Sequence, residues 1–246
     1  MQCHIVGAGL LGLTTAWFLR AQGADVCVFD RRDGPGLETS FANGGMLHAS
    51  QAGPWNEPGI AWRAATMLGR EDSALLIRLR TLPAILPWLA SFVHFSKRDR
   101  YLVNVDKNAR LADYSLTVLN EHMGNLSMRF DRGDHGTLKV YRTAEQFADA
   151  KIVAQRCDNW NVAYDFLDRD GVVALEPALA PISERLVGGI HFPGDISGDA
   201  HLYCVELAKQ CVGAGVEFRY GAKVDSLDVK SKRYRGVRVD GATLAP

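Results

Sequence analysis

Gln2-Cys3-His4-Ile5-Val6-Gly7-Ala8-Gly9-Leu10-Leu11-Gly12, continuing through Leu13 to Arg20, is the stretch that decides the fold. Gln2 to Val6 reads as a short buried strand, and Leu10 to Arg20 carries apolar residues at helical spacing until Gly23 stops it. Ala24 to Asp30 then supplies a second strand, Val26, Cys27, Val28 and Phe29, ending on an acid. Strand, tight turn, helix and strand within about 30 residues make a βαβ unit, which is parallel and right-handed. Its turn holds Gly7, Gly9 and Gly12 as G-x-G-x-x-G. Gly7 allows the tight turn, Gly9 omits the side chain that would block a pyrophosphate, and Gly12 lets the helix approach the sheet. The free N–H groups and partial positive charge of the helix amino terminus favour phosphate there.

Asp30, 18 residues beyond Gly12, is placed to accept the ribose hydroxyls of an adenosine. A glycine-rich turn before an ordinary core helix would explain the glycines but not this acid. Arg31 and Arg32 raise the question of NADP, yet a carboxylate at residue 30 would repel a 2′-phosphate, which favours FAD or NAD. Both arginines also read as solvated surface charges. Val6, Ala8, Leu10, Leu11 and Arg31 join the three glycines and Asp30 as candidate cofactor contacts.

Composition sets the wider frame. Hydrophobic residues are 47% and charged residues 23% of the 246, the balance of a globular enzyme. Lys plus Arg equals Asp plus Glu at 28 each, so no net charge draws the chain toward nucleic acid or an anionic surface. Five scattered cysteines without C-x-x-C spacing indicate neither a disulfide framework nor a zinc site, and a reducing cytoplasm is expected. The apolar run Ile5 to Leu19 lacks a preceding basic residue and keeps phosphate-loop glycines, so it is not read as a signal peptide. No stretch has the roughly 18 uninterrupted apolar residues of a spanning helix.

Arg32 to Gly59 is loop-like, and loops that long usually serve function. Trp62 to Phe95 is helical in pattern but broken by Pro83 and Pro87, and Leu102 to Met123 is a clearer amphipathic helix. Thr137 to Tyr141 alternates as a strand, Ala144 to Trp160 is helical, and Leu186 to Phe192 is strand-like, which suggests a separate antiparallel domain. His201 to Val212 is expected as a helix and Val216 to Tyr220 as a strand. Lys223 to Val229 and Tyr234 to Val239 are expected to pair as a hairpin.

The choice between FAD and NAD turns on Glu38-Thr39-Ser40-Phe41-Ala42-Asn43-Gly44-Gly45-Met46, followed by Pro54, Trp55, Pro58 and Gly59. This segment resembles the D-amino-acid dehydrogenases of the glycine oxidase and D-amino-acid oxidase superfamily, whose E-T-S-x-A-N-x-G loop passes the flavin. Ser40 and Asn43 offer short hydrogen-bonding side chains, and Gly44 and Gly45 permit close approach to a flat ring; by themselves the same residues are ordinary turn chemistry. The likeness continues through Ala109 to Ser115, resembling a helix that ends in a Tyr-Ser pair, and through Gly136-Thr137-Leu138, Leu175 to Leu179 and Gly198-Asp199. Val224 matches the position whose backbone holds the adenine.

The resemblance implies FAD as cofactor and a glutathione-reductase-like, Rossmann-type α/β domain over 1–80 and 195–246. An interleaved α+β substrate domain is expected over 81–194. It implies oxidation of a D-amino acid to an imine, with hydride passing to flavin N5 and electrons to a quinone or respiratory carrier. No catalytic residue and no metal ligand is assigned, and His48 reads as a satisfied polar residue. Leu82 to Phe95, followed by Lys97, Arg98 and Arg100, is expected as a buried helical hairpin, with peripheral contact at the inner membrane face as the other reading. Similar proteins are longer, so the substrate-carboxylate ligands and a complete active site are expected to lie outside this chain. A related glycine, sarcosine or proline oxidase, a non-catalytic FAD-binding remnant and a nicotinamide dehydrogenase remain as alternatives.

Overall fold

The computed structural model describes residues 1–67, 79–122, 124–239 and 241–244. In chain order the strands and helices begin with β1 (Gln2–Val6), α1 (Leu10–Ala21), β2 (Asp25–Phe29), β3 (Met46–Leu47), α2 (Ile60–Met67), α3 (Leu82–Phe95) and α4 (Arg98–His122). There follow β4 (Thr137–Tyr141), α5 (Ala144–Ala154), β5 (Asp165–Leu167), α6 (Arg169–Leu175), β6 (Gly188–Phe192), β7 (Ile196–Ser197) and α7 (Ala200–Gly213). Last come β8 (Glu217–Arg219), β9 (Val224–Lys230), β10 (Arg233–Val239) and β11 (Ala242–Leu244). Residues 68–78 of the expected Trp62 to Phe95 stretch, and Met123, lie outside the described residues.

The chain divides into two compact units, Met1–Leu47 with Glu121–His135 and Ile196–Pro246, and His48–Asn120 with Gly136–Asp195. The sequence predicts boundaries at 80/81 and 194/195, whereas contacts group His48–Asn120 with the second unit and Glu121–His135 with the first.

The first unit is built on a parallel sheet in the order β1-β2-β8. β1 is half-exposed rather than buried, because it stands at the edge of that order, whereas four of the five residues of β2 are buried. Helix α1 packs on α7, and the fully buried Leu13, Ala16, Cys204, Leu207 and Cys211 of these helices form that layer. Adding a Cβ at Gly12 would bring it to 1.9 Å from the Gly7 carbonyl oxygen, so only hydrogen lets α1 start this close to the strand it follows. Gly7 itself sits at φ +104, outside what a side chain tolerates. An antiparallel sheet β11-β10-β9 closes one side, with Val237 and Val239 packed against Cys27 and Phe29. The expected hairpin is therefore present, with β11 as a third strand that its short sequence did not announce.

The second unit carries an antiparallel sheet in the order β4-β6-β5. Ile190 and Phe192 of β6 pack with Ala154 and Cys157 in its core. The expected helix Ala144 to Trp160 is α to Ala154 and tightens to a 3-10 turn over Gln155–Trp160. Helix α4 runs past Tyr114 and Ser115 to His122, so it does not end at that pair. Pro83 falls in the first turn of α3, where its missing N–H costs nothing, and Pro87 lies inside the helix without ending it. No residue of α3 is buried, against the expected buried hairpin; Leu86, Trp88, Val93 and Phe95 are exposed.

Candidate functional site

In the first unit, the carboxyl ends of β1 and β2 and the start of α1 surround a groove of about 660 Å³. The fold dictates this position: parallel strands leave a crevice beyond their carboxyl ends, and the helix that follows aims its free N–H groups into it. Val6, Gly7, Gly9, Leu10, Leu11 and Gly12 line one wall. Asp30, Arg31 and Ser40 also line the groove, as does Val224, the first residue of β9.

Gly9 is the amino cap of α1 with no capping side chain of its own, and the first turn holds no acid. Ser40 covers this end: its hydroxyl accepts the Leu10 N–H at 3.2 Å, and a Cβ on Gly9 would meet the same oxygen at 3.0 Å. Ala8 is buried and does not line the groove, but its N–H donates to Asp30 Oδ2 at 2.6 Å. The other oxygen of Asp30 accepts the Arg32 N–H at 2.8 Å. The carboxylate is thus fixed at the mouth of the glycine turn, with a second lone pair on each oxygen able to meet a ligand hydroxyl.

Asn43, Gly44 and Gly45 do not line the groove. Asn43 Oδ1 accepts the Gly45 N–H at 2.8 Å, and Gly45 at φ +58 passes its carbonyl to the Gly198 N–H at 2.8 Å. A side chain on Gly45 would strike the Gly198 carbonyl, so this loop is tied beside the short β3-β7 pair.

Phe29, Glu38, Thr39, Ala222 and Lys223 line the groove without having been singled out. Glu38 is the informative one. Its Oε1 accepts from Arg31 at 2.8 Å and from Arg32 at 2.5 Å, and these hydrogen bonds hold its carboxyl below the ordinary range. The arginines are therefore committed to a protein carboxylate, a link between residues seven and six positions apart that loop composition alone does not disclose.

In the second unit lies a cavity of about 570 Å³. His48, also in this unit, has a buried Nδ1 with no hydrogen-bond partner among the described residues, unlike the satisfied histidine that was expected. Among the described residues no cluster of three or more His, Cys, Asp or Glu is arranged to hold a metal, and no helix is long and apolar enough to cross a membrane.

Residues 3–245 match the protein family described as "FAD dependent oxidoreductase". The D-amino acid dehydrogenase of Phenylobacterium zucineum is 36% identical over 244 residues, 99% of this chain and 57% of that protein. The enzyme of the same name from Rhizobium rhizogenes is 38% identical over 246 residues, 100% of this chain and 59% of that protein. The chain thus spans less than two thirds of the length of either relative. Among solved structures, L-alpha-glycerophosphate oxidase from Mycoplasma pneumoniae with FAD bound aligns with a TM-score of 0.66 at 18% identity, covering 98% of this chain and 50% of that one.

Proposed function

The chain belongs to the FAD dependent oxidoreductase family, and from that premise we propose that its first-unit groove holds the adenosine diphosphate half of FAD in an enzyme that oxidises D-amino acids to 2-oxo acids and ammonia. The observation that carries the reading is the acid-free start of α1, with Gly9 as its amino cap, opening on a groove that the Asp30 carboxylate, fixed on the Ala8 N–H, also lines. In this reading the N–H groups around Gly9 to Leu11 and the Ser40 hydroxyl meet the diphosphate, and Asp30 accepts the ribose hydroxyls. The Val224 backbone flanks the adenine. Asn43, Gly44 and Gly45 are assigned to the ring end of the cofactor. Arg31, held by Glu38, contributes positive charge at the rim rather than a free phosphate hook.

When bound, FAD supplies the hydride acceptor, and the protein's part is to hold and align the reactants. The names of the relatives support a D-amino acid as substrate. A quinone-type acceptor reached at the inner membrane face is the matching proposal for the electrons. The exposed apolar side chains of α3, followed by Lys97, Arg98 and Arg100, support peripheral contact there. Cosedimentation with anionic vesicles that vanishes in Trp88→Asp checks the contact.

The decisive experiment is the visible spectrum of the purified chain after loading with FAD and gel filtration. A retained flavin band is expected, and anaerobic bleaching with D-alanine and not with L-alanine is expected once the part of the relatives' length that this chain does not span is supplied. Colourless protein that instead binds NAD would replace the reading with a nicotinamide dehydrogenase. Flavin that even then stays oxidised with every amine would leave a non-catalytic FAD-binding protein, and peroxide release with glycine, sarcosine or proline would point to the related oxidases.

A further inference from the structure

The cavity of the second unit is walled by α4, α5, the 3-10 turn after it and strands β4 and β6. Its volume of about 570 Å³ falls among small-molecule sites, which are mostly apolar with a few placed polar groups. The wall follows that description. Val105, Ile190, Phe192 and Trp160 supply apolar surface, while among the described lining residues Arg98, Lys139 and Arg156 bring three positive charges against one acid, Glu57.

Two of those cations are incompletely satisfied. Lys139 packs its ammonium 5.3 Å from the centre of the Phe192 ring and has no hydrogen bond or ion pair among the described residues. Burial lowers its pKa, partly offset by the charge of Asp195. Asp195 is not part of the wall, and its Oδ2 already accepts the hydroxyls of Ser50 at 2.6 Å and Thr137 at 2.5 Å. Arg156 reaches Asp106 with Nη2 at 3.6 Å, and Trp160 Nε1 also donates to that carboxylate at 3.2 Å. The Arg156 Nε–H is buried with no partner among the described residues. A buried donor without an acceptor is costly, more so on a charged group, so such donors are commonly completed by a ligand or ordered solvent.

We propose that this cavity binds a small monocarboxylate with a branched apolar tail, its head taken by Lys139 and Arg156 and its tail by the Ile190, Phe192 and Trp160 surface. A carboxylate suits the partly committed arginine because its two oxygens accept from separate donors. A phosphate ester or sugar would strand its polar groups against the apolar wall. The cavity lies in the second unit, and the proposal holds whether or not the groove of the first unit takes FAD.

Calorimetric titration of the flavin-free 246-residue chain with 4-methylpentanoate, and in parallel with its uncharged isostere 4-methylpentanamide, tests it. The carboxylate is expected to bind one-to-one and the amide about tenfold or more weakly, since charge-assisted hydrogen bonds exceed the 1.4 kcal/mol that tenfold represents. Lys139→Met and Arg156→Gln are each expected to weaken the carboxylate about tenfold at an unchanged thermal midpoint, and Lys139→Arg to retain binding. Equal affinity for the two probes, no carboxylate binding at millimolar concentration, or undiminished binding by both charge-removing variants would overturn the proposal. The comparison of probes on the unaltered chain decides the matter even where a variant fails to fold.

Discussion

A methyl group at Gly12 would lie 1.9 Å from the Gly7 carbonyl oxygen, whereas one at Gly9 would lie 3.0 Å from the flexible Ser40 hydroxyl. The two glycines are therefore separable by experiment. Gly12→Ala must push α1 off its strand and is expected to destabilise the chain by about 3 kcal/mol or more, read as a lowered urea midpoint. Gly9→Val is expected to leave the circular dichroism spectrum intact while abolishing retention of FAD; unchanged flavin retention would refute the phosphate cradle. Asp30→Ala loses both N–H partners and any ribose contact, so a fall of about tenfold or more in FAD affinity is expected together with about 1.5–3 kcal/mol of stability. Asp30 and the glycines were legible in the sequence because each role is set by local spacing. Glu38 was not legible in the same way, because its role depends on where two arginine side chains reach.

At the scale of elements, the βαβ unit, the antiparallel strands Thr137–Tyr141 and Gly188–Phe192, and the β9-β10 hairpin follow from period and turn chemistry visible in sequence. The hairpin turn is Ser231-Lys232, both at positive φ, +53 and +61, with Lys230 and Arg233 paired across it. Two consecutive left-handed residues are the geometry that Asn-Gly serves best. Lys232→Gly is accordingly expected to raise stability by about 1 kcal/mol, measured as a higher urea midpoint; a lower one would show that the lysine side chain contributes more than the strain costs. Pro87 marks where sequence reading erred. An interior proline removes one hydrogen bond and crowds one carbonyl, yet α3 runs through it from Leu82 to Phe95. The apolar composition of α3 likewise announced burial that did not occur, because periodicity reports which side chains are apolar and not whether a partner surface meets them.

For the molecule as a whole, titration offers a test of how the first unit is held. Burial pushes the phenols of Tyr203 and Tyr220 up to about 12, with a hydrogen bond to Thr14 opposing the rise at Tyr203 and the charge of Asp30 adding to it at Tyr220. A raised acid pKa means that the folded state prefers the neutral phenol. That stability is present in full below the unfolded value near 10 and drains as pH rises from 10 to 12. The urea midpoint is expected to fall across that window and to fall less steeply in Tyr203→Phe; equal slopes would remove the buried phenol as the cause. Every step that local chemistry can dictate was already written in the chain: the glycine turn, the helix that starts on it and the acid that closes the second strand. Tertiary structure alone decided that contacts regroup the chain at His48, that Ala222 returns to a groove begun at Val6, and that Ser50 and Thr137 meet on Asp195. These are encounters between residues tens to hundreds of positions apart, and their energy comes from burial and side-chain reach, which no window along the sequence contains.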